Sequence, residues 1–190
     1  MQTATLAGGP ARYAMATITG GCFWCTEAIF KRLKGVNSAE PGYTGGHLEN
    51  PTYQDVCSGK TGHAEAIQIK FDSKEISYQK LLEVFFALHN PTTKNRQGVD
   101  FGTQYRSAIF YHSDTQKNIA EKIKSALGQS GQYKQKIVTE IVPAALFYKA
   151  ENYHQNYYDN NRNQLYCKIF IDPKIKKLFE NFKENLKAAD

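Results

Sequence analysis

The chain predicts an α+β fold, a two-layer sandwich with a ferredoxin-like (split β-α-β) core and extensions at its C-terminus. Its 190 residues fit one domain and suffice to bury a sizeable core. The first six segments with readable periodicity run β-α-β-β-α-β, the split β-α-β order. No repeat, low-complexity tract or linker divides the chain, so residues 15–190 read as a single domain and residues 1–14 as a flexible extension.

Ala16-Thr17-Ile18-Thr19 is a short apolar strand. Gly20 and Gly21 turn the chain sharply into a helix that opens near Trp24; residues 26–34 carry Ile29, Phe30 and Leu33 on one face and stop at Gly35. Residues 36–43 form a weak strand, and residues 45–62 a polar loop of a length that is usually functional. Strict alternation from Ala64 to Phe71 marks another strand. Ser77 caps a helix through His89 with Leu81, Leu82, Val84, Phe85 and Leu88 on its apolar side. A second long loop covers 90–103, a strand 106–112, and Asp114 caps a helix that reaches Gly128. Residues 137–142 are a further strand and 151–159 a short helix. Asp172 and Pro173 open the last helix as N-cap and first-turn proline, with Ile175, Leu178, Phe179, Phe182 and Leu186 as its buried stripe.

Composition narrows the function. Hydrophobic residues at 41% and charged residues at 22% are ordinary for a globular protein, whereas 12 Tyr beside one Trp enrich it in phenols. The net charge of +6 does not call for a nucleic-acid partner. Much of it lies in Lys174, Lys176, Lys177, Lys183 and Lys187, which alternate with Glu180 and Glu184 as on a solvated helix face. No apolar run approaches the roughly 20 residues of a membrane span, so no membrane partner is expected. The N-terminal stretch has neither the charged start and apolar run of a secretory signal nor the Arg-rich pattern of a transit peptide, and Met15 is a candidate natural start. Four cysteines in a chain this long are read as thiols of a reducing, cytoplasmic compartment rather than as a disulfide scaffold.

Cys22 carries the most information. It stands between strand and helix in Gly20-Gly21-Cys22-Phe23-Trp24-Cys25, where the free N–H groups and positive dipole end of the helix favour a thiolate. A reactive sulfur beside Phe23 and Trp24 points to a nucleophile for a small, partly apolar substrate. The Cys-X-X-Cys spacing also suits a dithiol exchanger; a zinc site is disfavoured because Cys57, Cys167 and the five histidines stand apart. Gly59-Lys60-Thr61 is no phosphate loop, since Gln54 occupies the position where one needs glycine. Glu65 alone would read as an exposed strand residue, but the loop before it holds Tyr53 and the segment from Gly102 to Ser107 brings Tyr105. A carboxyl among aromatic walls gains pKa by desolvation and serves as a general acid, while phenol hydroxyls donate to a substrate oxygen. Tyr148, Glu151, His154 and Tyr157 share helical spacing, fitting either packing or the site. Cys57 reads as a buried bystander.

Taken together, these segments resemble the peptide methionine sulfoxide reductase A family. The resemblance rests on Gly21-Cys22-Phe23-Trp24, Gly42-Tyr43-Thr44-Gly45-Gly46, Asn50-Pro51-Thr52-Tyr53, Thr61-Gly62-His63-Ala64-Glu65, Arg96-Gln97-Gly98, Asp100 through Ser107, Phe147 through Glu151, Tyr153-His154-Gln155 and Tyr166-Cys167. It implies that residues 15–190 are one catalytic domain that reduces the S epimer of methionine sulfoxide, free or in proteins, with no metal or organic cofactor. By resemblance, Cys22 attacks the sulfoxide sulfur, Glu65 protonates the oxygen, Tyr53 and Tyr105 hydrogen-bond it, and Phe23 and Trp24 cradle the S-methyl group. Asp100 and Tyr157 match positions that shape the site. Cys22 becomes a sulfenic acid, a second thiol forms a disulfide, and thioredoxin reduces it. The chain departs from the pattern with Cys25, where many members have glycine, and with a closing helix instead of a Gly-rich tail bearing another cysteine. Cys167 is the preferred resolving thiol and Cys25 its rival. A monomer is expected. A plain dithiol oxidoreductase, or a non-enzymatic peptide- or nucleic-acid-binding domain, explains the cysteines or the charge but not the company of Tyr53, Glu65 and Tyr105.

Overall fold

The computed structural model describes residues 12–188. The expected extension therefore lies largely outside the described residues, and Tyr13 and Ala14 already belong to the first strand. In chain order the elements are β1 Tyr13–Gly20, α1 Phe23–Phe30, β2 Val36–Thr44, α2 Tyr53–Cys57, β3 Ala64–Asp72, α3 Tyr78–Leu88, β4 Arg96–Gln97 and β5 Asp100–Phe101. There follow β6 Ser107–Tyr111, α4 Asp114–Gln129, β7 Glu140–Pro143, β8 Tyr148–Lys149, α5 Tyr157–Asn160 and α6 Asp172–Asn181.

Six strands form one mixed sheet in the order β7-β6-β1-β3-β2-β8. β1 runs antiparallel between β3 and β6, β3 is antiparallel to β2, and only β7 lies parallel to its neighbour β6. Ile18 of β1 stands opposite Ile67 on one side and Ile109 on the other, an apolar row across three strands that is essentially removed from water. α1 lies on β1, β2 and β3, while α3 packs against α4 and α6. Because a cavity in this row cannot collapse between hydrogen-bonded strands, Ile18→Ala is expected to cost about 2–5 kcal/mol. Urea denaturation checks this, and a loss below about 1 kcal/mol would contradict the packing described.

Most elements fall where periodicity places them, and the exceptions have local causes. The 45–62 loop contains α2, which Thr52 starts with a capping box: Thr52 Oγ1 accepts the Asp55 amide and the Asp55 carboxylate accepts the Thr52 amide. The 90–103 loop holds the β4–β5 hairpin. Ser113, not Asp114, caps α4, its hydroxyl accepting the Gln116 amide. The expected helix over 151–159 is broken. A 3₁₀ turn spans Asn152–His154, Asn156 takes the left-handed conformation at φ 55°, and only then does α5 begin. The break follows from the Asn156 amide turning to the buried Glu27 carboxylate at 2.7 Å. Tyr148 sits on β8, so Tyr148, Glu151, His154 and Tyr157 share no helix face. Asp172 is not an N-cap either. A π-helical turn, Cys167–Ile171, runs directly into α6, and Asp172 instead accepts the Tyr158 hydroxyl at 2.7 Å. Along α6 Leu178 is buried, but Phe179 is 49% exposed and falls off the expected stripe.

Candidate active site

The topology gathers one end of the sheet. β1 ends there at Gly20, and its antiparallel neighbours bring β3 in at Ala64 and β6 in at Ser107, while β2 ends at Thr44. Gly21 makes the turn beyond β1 at φ 94°, and a Cβ there would come within 2.6 Å of the Gln97 side chain, so both the backbone and the close approach require glycine. Cys22 is the N-cap of α1, its carbonyl accepting the amides of Cys25 and Thr26. Glu65, the second residue of β3, pairs in register with Tyr43 and reaches across to accept the Phe23 amide at 3.0 Å. The nucleophile candidate and the carboxyl candidate are thus tied through adjacent residues. Tyr53 opens α2, Tyr105 closes a 3₁₀ turn at Thr103–Tyr105, and Asp100 comes from β5.

Burial sets the protonation states. Glu65 is 2% exposed, and desolvation pushes its carboxyl up to about 8 even though the Phe23 amide favours the anion. Tyr53 and Tyr105 are raised, first by burial, then for Tyr53 by its hydrogen bond to Cys57, and for both by the charge of neighbours including Glu65, so both phenols stay protonated. The Asp100 carboxyl is raised by burial, although Tyr166 donates to it at 3.0 Å.

The thiols correct the sequence reading. Cys22 does sit at the helix start, yet it is not the resting thiolate. It is 6% exposed, and burial, the hydrogen bond to Cys25 and the negative charge of Cys25 all push its thiol up. The first free amide of α1 goes to Glu65 rather than to the sulfur. The anion rests on Cys25, brought down to about 7 by the hydrogen bond from Cys22, against burial and with the charge of Lys174 helping. The pair therefore releases its first proton near 7, from Cys25, while Cys22 keeps its own. Cys167 is fully buried in the same small apolar cluster, where it feels the charge of Cys25. Cys57, by contrast, is exposed rather than buried, beside the Tyr53 hydroxyl.

An aromatic shell surrounds these groups. Trp24 is stacked on Tyr157 with centroids 3.7 Å apart and an interplanar angle of 8°, and Tyr166 meets its ring edge-on at 5.8 Å. Phe23 is 1% exposed and packs under this shell against Trp24, Tyr43 and His154. The Trp24 indole N–H donates to His154 Nδ1 at 3.0 Å. Burial lowers the His154 pKa, so the neutral ring keeps its proton on Nε2, which lies 4.0 Å from Glu151. Glu151 ties the shell to the sheet by accepting the Tyr43 hydroxyl at 2.7 Å and the Tyr53 amide at 2.8 Å. Among the described residues no group of three or more His, Cys, Asp or Glu is placed to hold a metal ion.

A family profile described as peptide methionine sulfoxide reductase matches residues 14–186, the whole of this architecture. The chain belongs to the peptide methionine sulfoxide reductase family. Within that family, the peptide methionine sulfoxide reductase MsrA of Sulfolobus acidocaldarius is 57% identical over 169 residues, covering 88% of this chain and 94% of the relative. Reduced Mxr1 from Saccharomyces cerevisiae shares the fold with a TM-score of 0.76 at 37% identity, over 84% of this chain and 91% of Mxr1. Mxr1 in complex with Trx2 aligns with a TM-score of 0.54 at 29% identity, over 80% and 90% of the two chains.

In this reductase-family chain Cys22, Trp24, Cys25, Tyr53, Glu65, Asp100, Tyr105, Tyr157 and Cys167 gather around the one site, Phe23 is enclosed beneath it and Cys57 stands at its edge. Three groups escape the sequence reading as members of the site. Tyr166 was legible only as the neighbour of Cys167, yet its hydroxyl lies within hydrogen-bonding reach of both Cys22 and Cys25. Tyr43 sits on a weak strand whose register to Glu65 no local pattern reveals. Lys174 belongs to a lysine-rich helix and carries no local signal of its own.

Proposed function

We propose that the chain reduces the S epimer of methionine sulfoxide, free or in proteins, to methionine through a Cys22 sulfenic acid and a disulfide that thioredoxin recycles. The observation that carries this is the juxtaposition of a carboxyl kept protonated to about 8 with a thiol pair that releases its first proton near 7. A sulfoxide is a poor electrophile until its oxygen is protonated, so acid and nucleophile must coexist at one pH. As Cys22 sulfur attacks the sulfoxide sulfur, its proton passes to the Cys25 thiolate and the Glu65 proton goes to the oxygen. The hydroxyl then migrates with the S–O bond pair from methionine sulfur to Cys22 sulfur as the newly formed S–S bond breaks and leaves its electron pair on methionine sulfur. Tyr53 and Tyr105 donate to the oxygen as it gains charge. Trp24, held flat by Tyr157 and His154, receives the S-methyl group, with Phe23 as the support beneath it. Asp100 acts through Tyr166.

For the disulfide, Cys25 is favoured as the first partner because it already hydrogen-bonds Cys22, and Cys167 stands next to Cys25 as the following acceptor. The attack of Cys25 sulfur on the sulfenic sulfur forms S–S and releases the oxygen as water with the Cys25 proton. The complex of Mxr1 with Trx2 supports thioredoxin as the reductant. The order β6-β1-β3-β2 within a β-α-β-β-α-β chain supports a ferredoxin-like, two-layer core for a single catalytic domain over residues 15–190. No helix among the described residues is long and apolar enough to cross a membrane, and four free thiols suit a monomer of the cytoplasm.

A thioredoxin-coupled assay on separated epimers tests the activity: the S epimer is expected to turn over and the R epimer to be inert, and equal turnover of both would refute the assignment. Peptide mapping after one substrate equivalent tests the thiol order. A Cys22–Cys25 bond is expected first, and Cys25→Ser is expected to leave methionine release in the first turnover while stalling that disulfide. A Cys22–Cys167 bond in the wild type would return the resolving role to Cys167.

A further inference from the structure

We infer that Lys174 is a positioning residue for the disulfide-forming step: from the first turn of α6 it holds Cys25 as the thiolate that attacks the Cys22 sulfenic acid. The inference rests on the reading of Cys25 as resolving thiol.

Lys174 does not behave like the lysines around it. Lys176 is solvent-exposed opposite Glu180, and Lys177 donates to the Ala87 carbonyl at 2.7 Å. Lys174 is half-buried and lines, with Cys25, Gly20, Thr26, Phe85 and His89, a small cavity between α1, α3 and α6. The cavity offers about 10 Å³, so at most about one water can screen the ammonium from the sulfur. The groups that face Cys25 are otherwise neutral or acidic: Cys22 on its own turn, Tyr166 and Cys167 from the segment before α6, Asp100 from β5 and Glu65 from β3. His89, beside Lys174, is neutral because burial lowers it to about 4. Among the described residues Lys174 is the cation whose charge lowers Cys25, and its charge also reaches Asp100. In the step itself the thiolate pair of Cys25 forms the S–S bond and the Cys22 S–O bond breaks. The oxygen leaves as water, taking the hydroxyl hydrogen and the proton that Cys25 had lost.

Removing the cation has a signature that a packing defect lacks. Losing an opposite charge at this range raises a thiol pKa by about 1 unit or more. Below the midpoint that lowers the thiolate fraction about tenfold, but a more basic sulfur is intrinsically about threefold more nucleophilic, leaving disulfide formation about threefold slower. At about pH 9, where both forms are ionised, the variant becomes equal or faster. The experiment uses the reduced full chain as wild type, Lys174→Met, Lys174→Gln and Lys174→Arg. Ultraviolet thiolate absorbance is followed against pH, and single-turnover formation of the Cys22–Cys25 disulfide is followed at about pH 6 and about pH 9. The Met and Gln variants are expected to shift the thiolate midpoint up by about 1 unit and to show the acid-side slowing alone, while Arg restores both. An unmoved midpoint in folded Met and Gln variants, or a slowing equal at both pH values, would overturn the inference. The absorbance titration reads the Lys174–Cys25 interaction whichever thiol resolves; a Cys22–Cys167 disulfide in the wild type would instead sink the reading beneath it.

Discussion

Cys22→Ser is expected to abolish reduction of the S sulfoxide, a loss on the order of 10⁴-fold or more that leaves only the uncatalysed background. Serine removes the sulfur that the proposed reaction oxidises. Its hydroxyl ionises far above the pKa of the thiol, and Cys25, at about 7, is too weak a base to deprotonate it. The fold has little stake in the sulfur. Cys22 caps α1 with its carbonyl, which the Cys25 and Thr26 amides engage, and its side chain makes no capping hydrogen bond. Circular dichroism of the variant is therefore expected to match the wild type. Serine keeps a hydroxyl on the same Cβ that can donate to Cys25, so the Cys25 thiol is expected to stay lowered in Cys22→Ser. Methionine formation by this variant at the wild-type rate, measured with thioredoxin in excess, would end the proposal that Cys22 is the nucleophile.

What the sequence made legible follows the range of the signals involved. Strands such as β3 and helices such as α3 announce themselves through periodicity and the Ser77 cap, because each buries one face against the core. Cys22, Glu65, Tyr53 and Tyr105 could be grouped because loops and turns flank them in a recognisable order. The resting charge of Cys22 could not be read, since it depends on burial and on the hydrogen bond and charge of Cys25 in the folded site, and the first amide of α1 goes to a carboxyl 42 positions away in the chain. The break between His154 and Tyr157 was hidden for the same reason: the partner of Asn156 is Glu27, 129 positions distant. Glu27 resembles an ordinary helix-surface residue, yet it is 2% exposed and fixes the turn that sets Tyr157 on Trp24. Short elements stabilised by one cap or one hairpin, such as α2 and β4–β5, fall below the length at which periodicity speaks.

Glu65→Gln separates chemistry from stability, with opposite signs. The first reductive step is expected to slow by about 10²–10⁴-fold near neutrality, because the amide holds no proton to give the sulfoxide oxygen. In the wild type that step requires the Cys22–Cys25 pair to have lost a proton, near 7, and Glu65 to have kept one, up to about 8. The single-turnover rate is thus expected to trace a narrow bell with its alkaline limb set by Glu65, and the Gln variant is expected to lose that limb. The fold responds the other way. Burial raises the carboxyl far above its unfolded value near 4.3, so between about 4.3 and about 8 the unfolded chain releases a proton that the folded chain retains. Wild-type stability therefore falls as pH rises through that window and levels off above it. The neutral amide feels no such pull and still accepts the Phe23 amide through its carbonyl. Glu65→Gln is expected to match the wild type near pH 4 and to exceed it by at most roughly 4 kcal/mol at about pH 7. Denaturation at several pH values, run beside single-turnover kinetics, measures both. A stability gap that does not widen with pH would mean the carboxyl is ionised in the folded protein, and an unchanged first-turnover rate would remove Glu65 as the proton donor.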